Sequence, residues 1–362
     1  MMPTPTVPAR TVLVTGYPNH VATRVIDLIL VNEPEARIHL LARGDAAARA
    51  QGRFVAAEVR KRVTIHVGEV AADDLGLTRD ASRRLLDTVT DIYHFASSYH
   101  IGSAKQQLEE INIQGTRNAL RFAQHCRSLE RLNHWSTAWV AGDRSGVILE
   151  DELEKGQHFR STYERTRFTA ELEVRRHMPD LPISVYRGSL VVGDSQSGEI
   201  EATDGPWFFM HMLVNSPSRI PQPDETRGCR PLHLVPIDYA TNATYSLSLS
   251  PLARGRTFHI VDPNPFSVDQ VWRMVAEAAQ RQRVETGNTR ALWRRAAEWT
   301  GVDRWISGSR SSIQEIDSPC MFNAMNTAQV LHPLGVFCPT LPEYLPRLVD
   351  FARRSERHTL AS

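Results

Sequence analysis

Short β-branched runs alternate with longer amphipathic stretches through the first half of the chain. Residues 11–15 (TVLVT) form a continuous apolar run ending at Gly16, the pattern of a strand covered on both faces. Residues 20–31 follow with helical spacing, and 37–42 (RIHLLA) read as a second strand. A helix over 46–61, a strand at 63–67 (VTIHV) and a strand at 91–95 (DIYHF) come next. A long helix over 108–126, a strand at 131–136, a helix over 162–177 and a strand at 183–186 continue the rhythm. Strands alternating with helices predict a parallel sheet with helices on both faces.

The rhythm breaks after Gly193, where Pro, Gly and Asp become frequent. One later run, 257–261 (TFHIV), has the composition to rejoin the sheet, and 267–280 and 288–300 read as helices. The expected organisation is a nucleotide-binding domain over 11–193 with the strand at 257–261 returning to it. A smaller C-terminal substrate lobe takes 194–256 and 263–345, and residues 1–10 and 346–362 are flexible or peripheral tails. The apolar stretch 206–214 (PWFFMHMLV) has two readings, the lining of an apolar channel or a plain core or interface helix.

Composition removes several function classes. The formal net charge is +1, which gives no electrostatic case for nucleic acid or an anionic membrane. The four cysteines are widely spaced, with no CxxC pair and no zinc-type Cys/His cluster, so no metal is expected. They read as reduced thiols of a cytoplasmic protein. The N-terminus lacks the apolar core of a signal peptide, and no run approaches the ~18 apolar residues of a membrane span.

The first strand leads into Thr15-Gly16-Tyr17-Pro18-Asn19-His20-Val21-Ala22 and then a helix. A strand, a tight turn and a helix N-terminus facing a pyrophosphate are the parts of a dinucleotide site in a Rossmann-type doubly wound α/β fold. Asn19 and Ala22 stand where the usual glycine fingerprint has its second and third glycines. Asn tolerates left-handed backbone angles and Ala still permits close packing, but this loop alone fits a structural turn as well as a phosphate cradle. The second strand ends in Arg43, where NAD-selective folds place an acid about 20 residues on. An Arg there suits the 2′-phosphate of NADP(H); otherwise it is an ordinary surface residue. Glu69 and Val70 after the third strand, and Phe95, Ala96 and Ser97 after the fourth, stand at the carboxyl edge where Rossmann ligands lie. Asn112 is a polar residue on an otherwise core-facing helix.

Strand five runs into Ser136-Thr137-Ala138-Trp139-Val140-Ala141-Gly142, and Tyr163 opens the next helix with Arg167 one turn later. Positions 163 and 167 share a face that continues through Ala170 and Val174, the buried stripe of that helix. An inward phenol and cation need a partner, and a bound dinucleotide is one. Glu164 and Glu171 offer Arg167 the other reading, a solvated ion pair.

Together the glycine turn, HFAS (94–97), INIQGTRNAL (111–120), STAWVAG, YERTR, YRGSLVVGDSQSGEI (186–200) and LHLVPIDYA (232–240) resemble extended short-chain dehydrogenases/reductases. They are most similar to the branch of fatty acyl-CoA reductases and thioester reductases, the male-sterility-type NAD-binding proteins. The resemblance covers about residues 11–262. It implies an NADPH-dependent reductase of an acyl thioester, aldehyde or ketone. Thr137 would hold the substrate oxygen with Ser136 beside it, Tyr163 would donate the proton, and Arg167 would stand in the place of the family's Lys. It also implies cofactor contacts at Gly16, Tyr17, Pro18, Asn19, His20, Val21, Asn112, Arg167, Gly188 and Ser189, an acyl-CoA or acyl carrier protein thioester as partner, and a homodimer paired through helices flanking Tyr163. Arg keeps the charge of Lys but cannot deprotonate. Arg187-Gly188 is a second departure, where Arg-Pro is usual. Two alternatives therefore stay open: a non-redox lyase, dehydratase or cyclase on the same fold, and a non-catalytic protein that binds NADP(H) or an acyl ligand.

Overall fold

The computed structural model describes residues 9–98, 105–199, 219–221, 229–280, 282–284 and 318–359. The central sheet contains β1 (Thr11–Thr15), β2 (Arg37–Ala42), β3 (Val63–Val67), β4 (Asp91–His94) and β5 (Arg131–Thr137). A short β6 (Gly146–Ile148) leaves the sheet, and β7 (Ile183–Gly188) rejoins it. Then come β8 (Leu190–Val192), β9 (Arg219–Pro221), β10 (Leu234–Pro236), β11 (Thr257–Ile260), β12 (Gln282–Val284) and β13 (Cys320–Phe322). The seven-stranded sheet has the order β11-β7-β5-β4-β1-β2-β3, and every pair is parallel. This is the doubly wound order, with its reversal between β1 and β4.

Both sheet faces are covered because successive side chains on each strand alternate. Val12 and Val14 pack with Val21, Ala22, Val25 and Ile26 of α1 (His20–Asn32), while Leu13 faces the opposite core with Ile92, Leu132 and Val185. That opposite core is closed by α2 (Arg79–Thr88), α3 (Gly115–His125) and α4 (Thr162–His177), through Leu85, Leu120 and Val174. The single helix expected over 46–61 is interrupted: Gly44–Arg53 and Ala57–Arg60 are separate pieces.

A second core lies beyond the sheet. It gathers Trp139, Ile148, Leu190, Leu234, Val261, Val271 and Phe322 with Tyr344, Leu348 and Ala352. Two expected boundaries need correction. The helix Ile237–Leu249 falls within the span expected for the lobe, but its Tyr239, Ala243 and Leu247 pack on Tyr186, Phe258 and Ile260 of the sheet. The tail expected from 346 belongs to the helix Leu341–Thr359, whose Leu345, Leu348, Val349 and Ala352 are buried in the second core. An amphipathic stripe there outweighs Pro346 as a breaker. The stretches 206–214 and 288–300 lie outside the described residues.

Candidate active site

The turn after β1 is shaped by its neighbour strand. Gly16 has φ +91°, and a Cβ there would overlap the backbone of Phe95 and Ala96. Glycine is therefore required by a close approach at the β1/β4 switch as well as by backbone angle. Asn19 has φ −55°, not the left-handed angle that would make Asn a natural stand-in for Gly. It is the N-cap of α1: its Oδ1 accepts from the N–H of Val21 at 2.9 Å and Ala22 at 3.3 Å. Ala22 is fully buried against the sheet, as close packing at that place requires.

At the ends of β2 and β3, Arg43 Nη1 lies 3.5 Å from Glu69 Oε1, both side chains exposed. Val70 is buried, and Asn118 Nδ2 donates to its carbonyl at 2.9 Å. The helix preceding α3 widens into a π turn over Glu109–Gln114. Asn112 sits in it, fully buried. Its Oδ1 accepts from the Ser98 N–H at 2.8 Å, and its Nδ2 donates to the Ser98 carbonyl and to Thr166 Oγ1, each at 3.0 Å. This one side chain ties the loop after β4 to the helix that carries Tyr163. Phe95 and Ala96 are buried and Ser97 is half-buried on that loop. Gly188 is fixed by packing, since a Cβ there would overlap the ring of Trp135. The N–H of Ser189 donates to the Ile260 carbonyl at 3.1 Å.

Ser161 caps α4, its hydroxyl accepting from the Glu164 N–H at 3.1 Å. Glu164 folds back to the Arg160 N–H at 2.9 Å, and Tyr163 is half-buried beside it. Arg167 is 1% exposed. Its Nη2 donates to the Trp135 carbonyl, while Nε and Nη1 have no hydrogen-bond partner among the described residues. Burial pulls the guanidinium pKa down, opposed by Tyr163 and Glu171. The solvated ion-pair reading of Arg167 thus does not hold, because Glu164 and Glu171 are bonded elsewhere.

Thr137 and Ser136 point to opposite faces of β5, as neighbours on a strand must. Thr137 Oγ1 accepts from the Trp139 N–H at 3.3 Å and is buried. Ser136 Oγ donates to Glu171 Oε2 at 2.6 Å, which places it in a buried ion network rather than beside Thr137. Glu171 pairs with Arg187 at 2.7 Å, with both side chains at 1% exposure or less. Burial alone would raise the Glu171 carboxyl; the Arg187 charge and hydrogen bonds outweigh it and hold the pKa below the ordinary value. Arg187 also donates to the Glu152 carbonyl at 2.7 Å, anchoring the loop beyond β6.

Two buried histidines adjoin this layer. His94 links Thr15 Oγ1 at 2.9 Å and Thr116 Oγ1 at 3.2 Å, and its ring stacks on that of His134 at 5.5 Å. Both ring nitrogens of His134 lack a partner among the described residues. Burial, then the Arg167 charge, holds His94 down at about 3 and His134 well below its ordinary value, so both rings are neutral. Sequence reasoning did not single out His134, and it named Glu171 and Arg187 without pairing them. The available signal was polar residues at positions whose spacing marks them as buried. Among the described residues no cluster suits a metal ion.

The dinucleotide implied by the fold meets a mixed reception. Two buried, unsatisfied Arg167 donors one turn from Tyr163 fit a hydroxyl-bearing group such as a ribose, since each orphaned donor costs about 1–3 kcal/mol. At the helix end that would face the phosphates, the Val21 and Ala22 amides are free for a ligand only once the Asn19 side chain swings away.

Residues 14–244 match the model of an NAD-binding family described as male sterility protein. The chain is 27% identical over 220 residues to a glycine betaine reductase of Emericella nidulans, covering 59% of this chain and 17% of that protein. It is 23% identical over 276 residues to the fatty acyl-CoA reductase wat of Drosophila melanogaster, covering 64% of this chain and 52% of that protein. The chain thus spans only a part of these relatives. Among solved structures, the terminal R domain from the myxalamid PKS-NRPS biosynthetic pathway superposes with a TM-score of 0.82 at 22% identity, covering 97% of this chain and 92% of that one. A match over most of the sheet domain, from β1 through the helix that follows β10, settles the kinship: the chain belongs to the NAD-binding male sterility protein family.

Proposed function

We propose that the chain is an NADPH-dependent reductase of an acyl thioester or of the aldehyde derived from it. The observation that carries this reading is Arg167, a buried cation with two unsatisfied donors, one turn from Tyr163 at the carboxyl end of β5. The cofactor, when bound, supplies the hydride. Thr137 and Tyr163 hold the substrate carbonyl oxygen by hydrogen bonds, and the Tyr163 hydroxyl gives it a proton as the carbonyl carbon is reduced. Arg167 holds ribose hydroxyls and favours tyrosinate through its charge, without taking up a proton itself. A thioester so reduced becomes a hemithioacetal, which expels the thiol to leave the aldehyde.

Arg43 is the residue assigned to the 2′-phosphate, exchanging Glu69 for it. The name of one relative, a fatty acyl-CoA reductase, supports a thioester on CoA, the sequence resemblance adds one on a carrier protein, and the lobe built on the second core is the assigned substrate side. Among the described residues no helix is long and apolar enough to cross a membrane; the proposed setting is the cytoplasm, with a homodimer as the form to test. A second reading, a non-redox or purely binding role, is favoured by one observation: the Asn19 cap on the phosphate-binding helix.

Fluorescence titration of the purified protein with NADPH, followed by acyl-CoA and aldehyde panels, separates these. Binding with oxidation of NADPH on a thioester or aldehyde is the expected result. Absence of NADPH binding at tens of micromolar sinks the reductase reading, and binding without oxidation on any carbonyl moves the weight to the second one.

A further inference from the structure

We propose that Asn19 is an intramolecular competitor of the cofactor's phosphates, so that cofactor affinity is set by the displacement of its side chain. The inference rests on the reading that this chain binds NADP(H). Helix N-terminal amides are the natural donors to a pyrophosphate in this fold. Here Asn19 Oδ1 already takes those of Val21 and Ala22, at 2.9 and 3.3 Å. Its carbonyl oxygen stands where an anion's oxygen would stand.

The surrounding geometry makes this a switchable contact. The backbone of residue 19 is held without help from its side chain. Its N–H donates to the Gly16 carbonyl at 2.9 Å. Its carbonyl accepts from the Thr23 N–H at 2.9 Å and from Thr23 Oγ1 at 3.0 Å. Side-chain rotation alone therefore frees the two amides, with the turn intact. The angles φ −55° and ψ 138° suit any residue, so truncation introduces no strain. A second group short of partners is Arg167, buried with two donors unpartnered among the described residues; its charge acts on the ring of His94, which bonds Thr15 Oγ1 one residue before Gly16.

A cap and a competitor have opposite signatures. A side chain that only supports the fold stabilises the free protein and helps binding, or leaves it alone. A competitor stabilises the free protein and opposes binding. The test compares wild type with Asn19→Ala and Asn19→Asp, reading the melting temperature without ligand and the Kd for NADPH by fluorescence. Ala removes the cap: melting should fall, and NADPH should bind about fivefold tighter, the equivalent of one ordinary N-cap interaction. Asp keeps the cap and adds a charge facing the phosphates: melting should hold or rise, and NADPH should bind more weakly than to wild type. The two orders then run in opposite directions.

Equal or weaker NADPH binding by Asn19→Ala, with wild type binding measurably, overturns this inference and leaves the cofactor reading standing. Should none of the three proteins bind NADPH, the cofactor reading fails and takes the inference with it. Binding by the Ala variant where wild type shows none supports both.

Discussion

Substituting Glu171→Gln should cost the protein about 3–5 kcal/mol, the range for breaking a buried ion pair from one side. The structure sets the expectation near the upper half of that range. Glu171 is fully buried and receives Arg187 Nε at 3.0 Å, Arg187 Nη2 at 2.7 Å, Ser136 Oγ at 2.6 Å and Arg175 Nε at 3.3 Å. Gln keeps one acceptor oxygen, so part of the hydrogen bonding survives. The charge does not, and it leaves the guanidiniums of Arg187 and Arg175 facing each other without a carboxylate between them. Urea unfolding followed by circular dichroism measures the loss. A double variant, Glu171→Met with Arg187→Met, should recover much of it, because a buried pair replaced by apolar side chains of similar volume is often neutral. The pH dependence adds a second check. The Glu171 pKa is depressed in the folded state, so its contribution is present above the ordinary carboxylate value and is lost as pH falls through the folded one. Wild type and Glu171→Gln should therefore converge in stability in the acid limb. A loss below about 1 kcal/mol, the size of an exposed pair, would refute the account of this layer.

Tyr163→Phe should abolish turnover while NADPH affinity stays within about twofold, because the hydroxyl acts on the substrate carbonyl; retained turnover would remove Tyr163 from the chemistry. Arg167→Met should raise the urea midpoint while weakening NADPH binding, since a buried, half-satisfied cation is a cost the free fold bears for a ligand; a clear drop in stability would mark Arg167 as structural. His94 and His259 are both held down at about 3 by burial, against an ordinary value of 6.5. Between pH 6.5 and 5 the unfolded chain takes up protons at these positions and the folded one does not. Stability should then fall with pH by up to about 1.4 kcal/mol per unit for each ring, and a flat stability profile over that window would show that these rings are not held neutral.

The strand–helix order was legible because parallel strands read as continuous apolar runs, and each run that the pattern marked from residue 11 to 186 is a strand of the central sheet. Tyr163 and Arg167 were legible as a pair because Ala170 and Val174 fix the inward stripe of their helix. What the chain pattern hides is partnership. Glu171 looked available to Arg167 four residues away, yet it is taken by Arg187 on a strand that the local pattern cannot connect to it. Asn19 read as a replacement for a flexible glycine, whereas its angles are ordinary and its side chain is a cap. Ser136 read as a neighbour of Thr137 in one site, but strand alternation turns it to the other face. The tail expected from 346 is a helix because Leu345, Leu348, Val349 and Ala352 meet a core that no local window displays.

The contact between the last helix and the loop after β8 has a consequence for the order in which the molecule is made. Arg347 Nη1 donates to the Ser195 carbonyl at 3.0 Å across 152 positions of sequence, and a Cβ on Gly198 would overlap the Arg347 backbone. The loop carrying Asp194 and Ser195 thus borrows part of its shape from residues that leave the ribosome on the order of ten seconds later. The sheet domain can collapse early, but the loop after β8 takes its full set of contacts only when the helix Leu341–Thr359 arrives. Shortening that helix should therefore be felt at the loop after β8 before it is felt in the sheet.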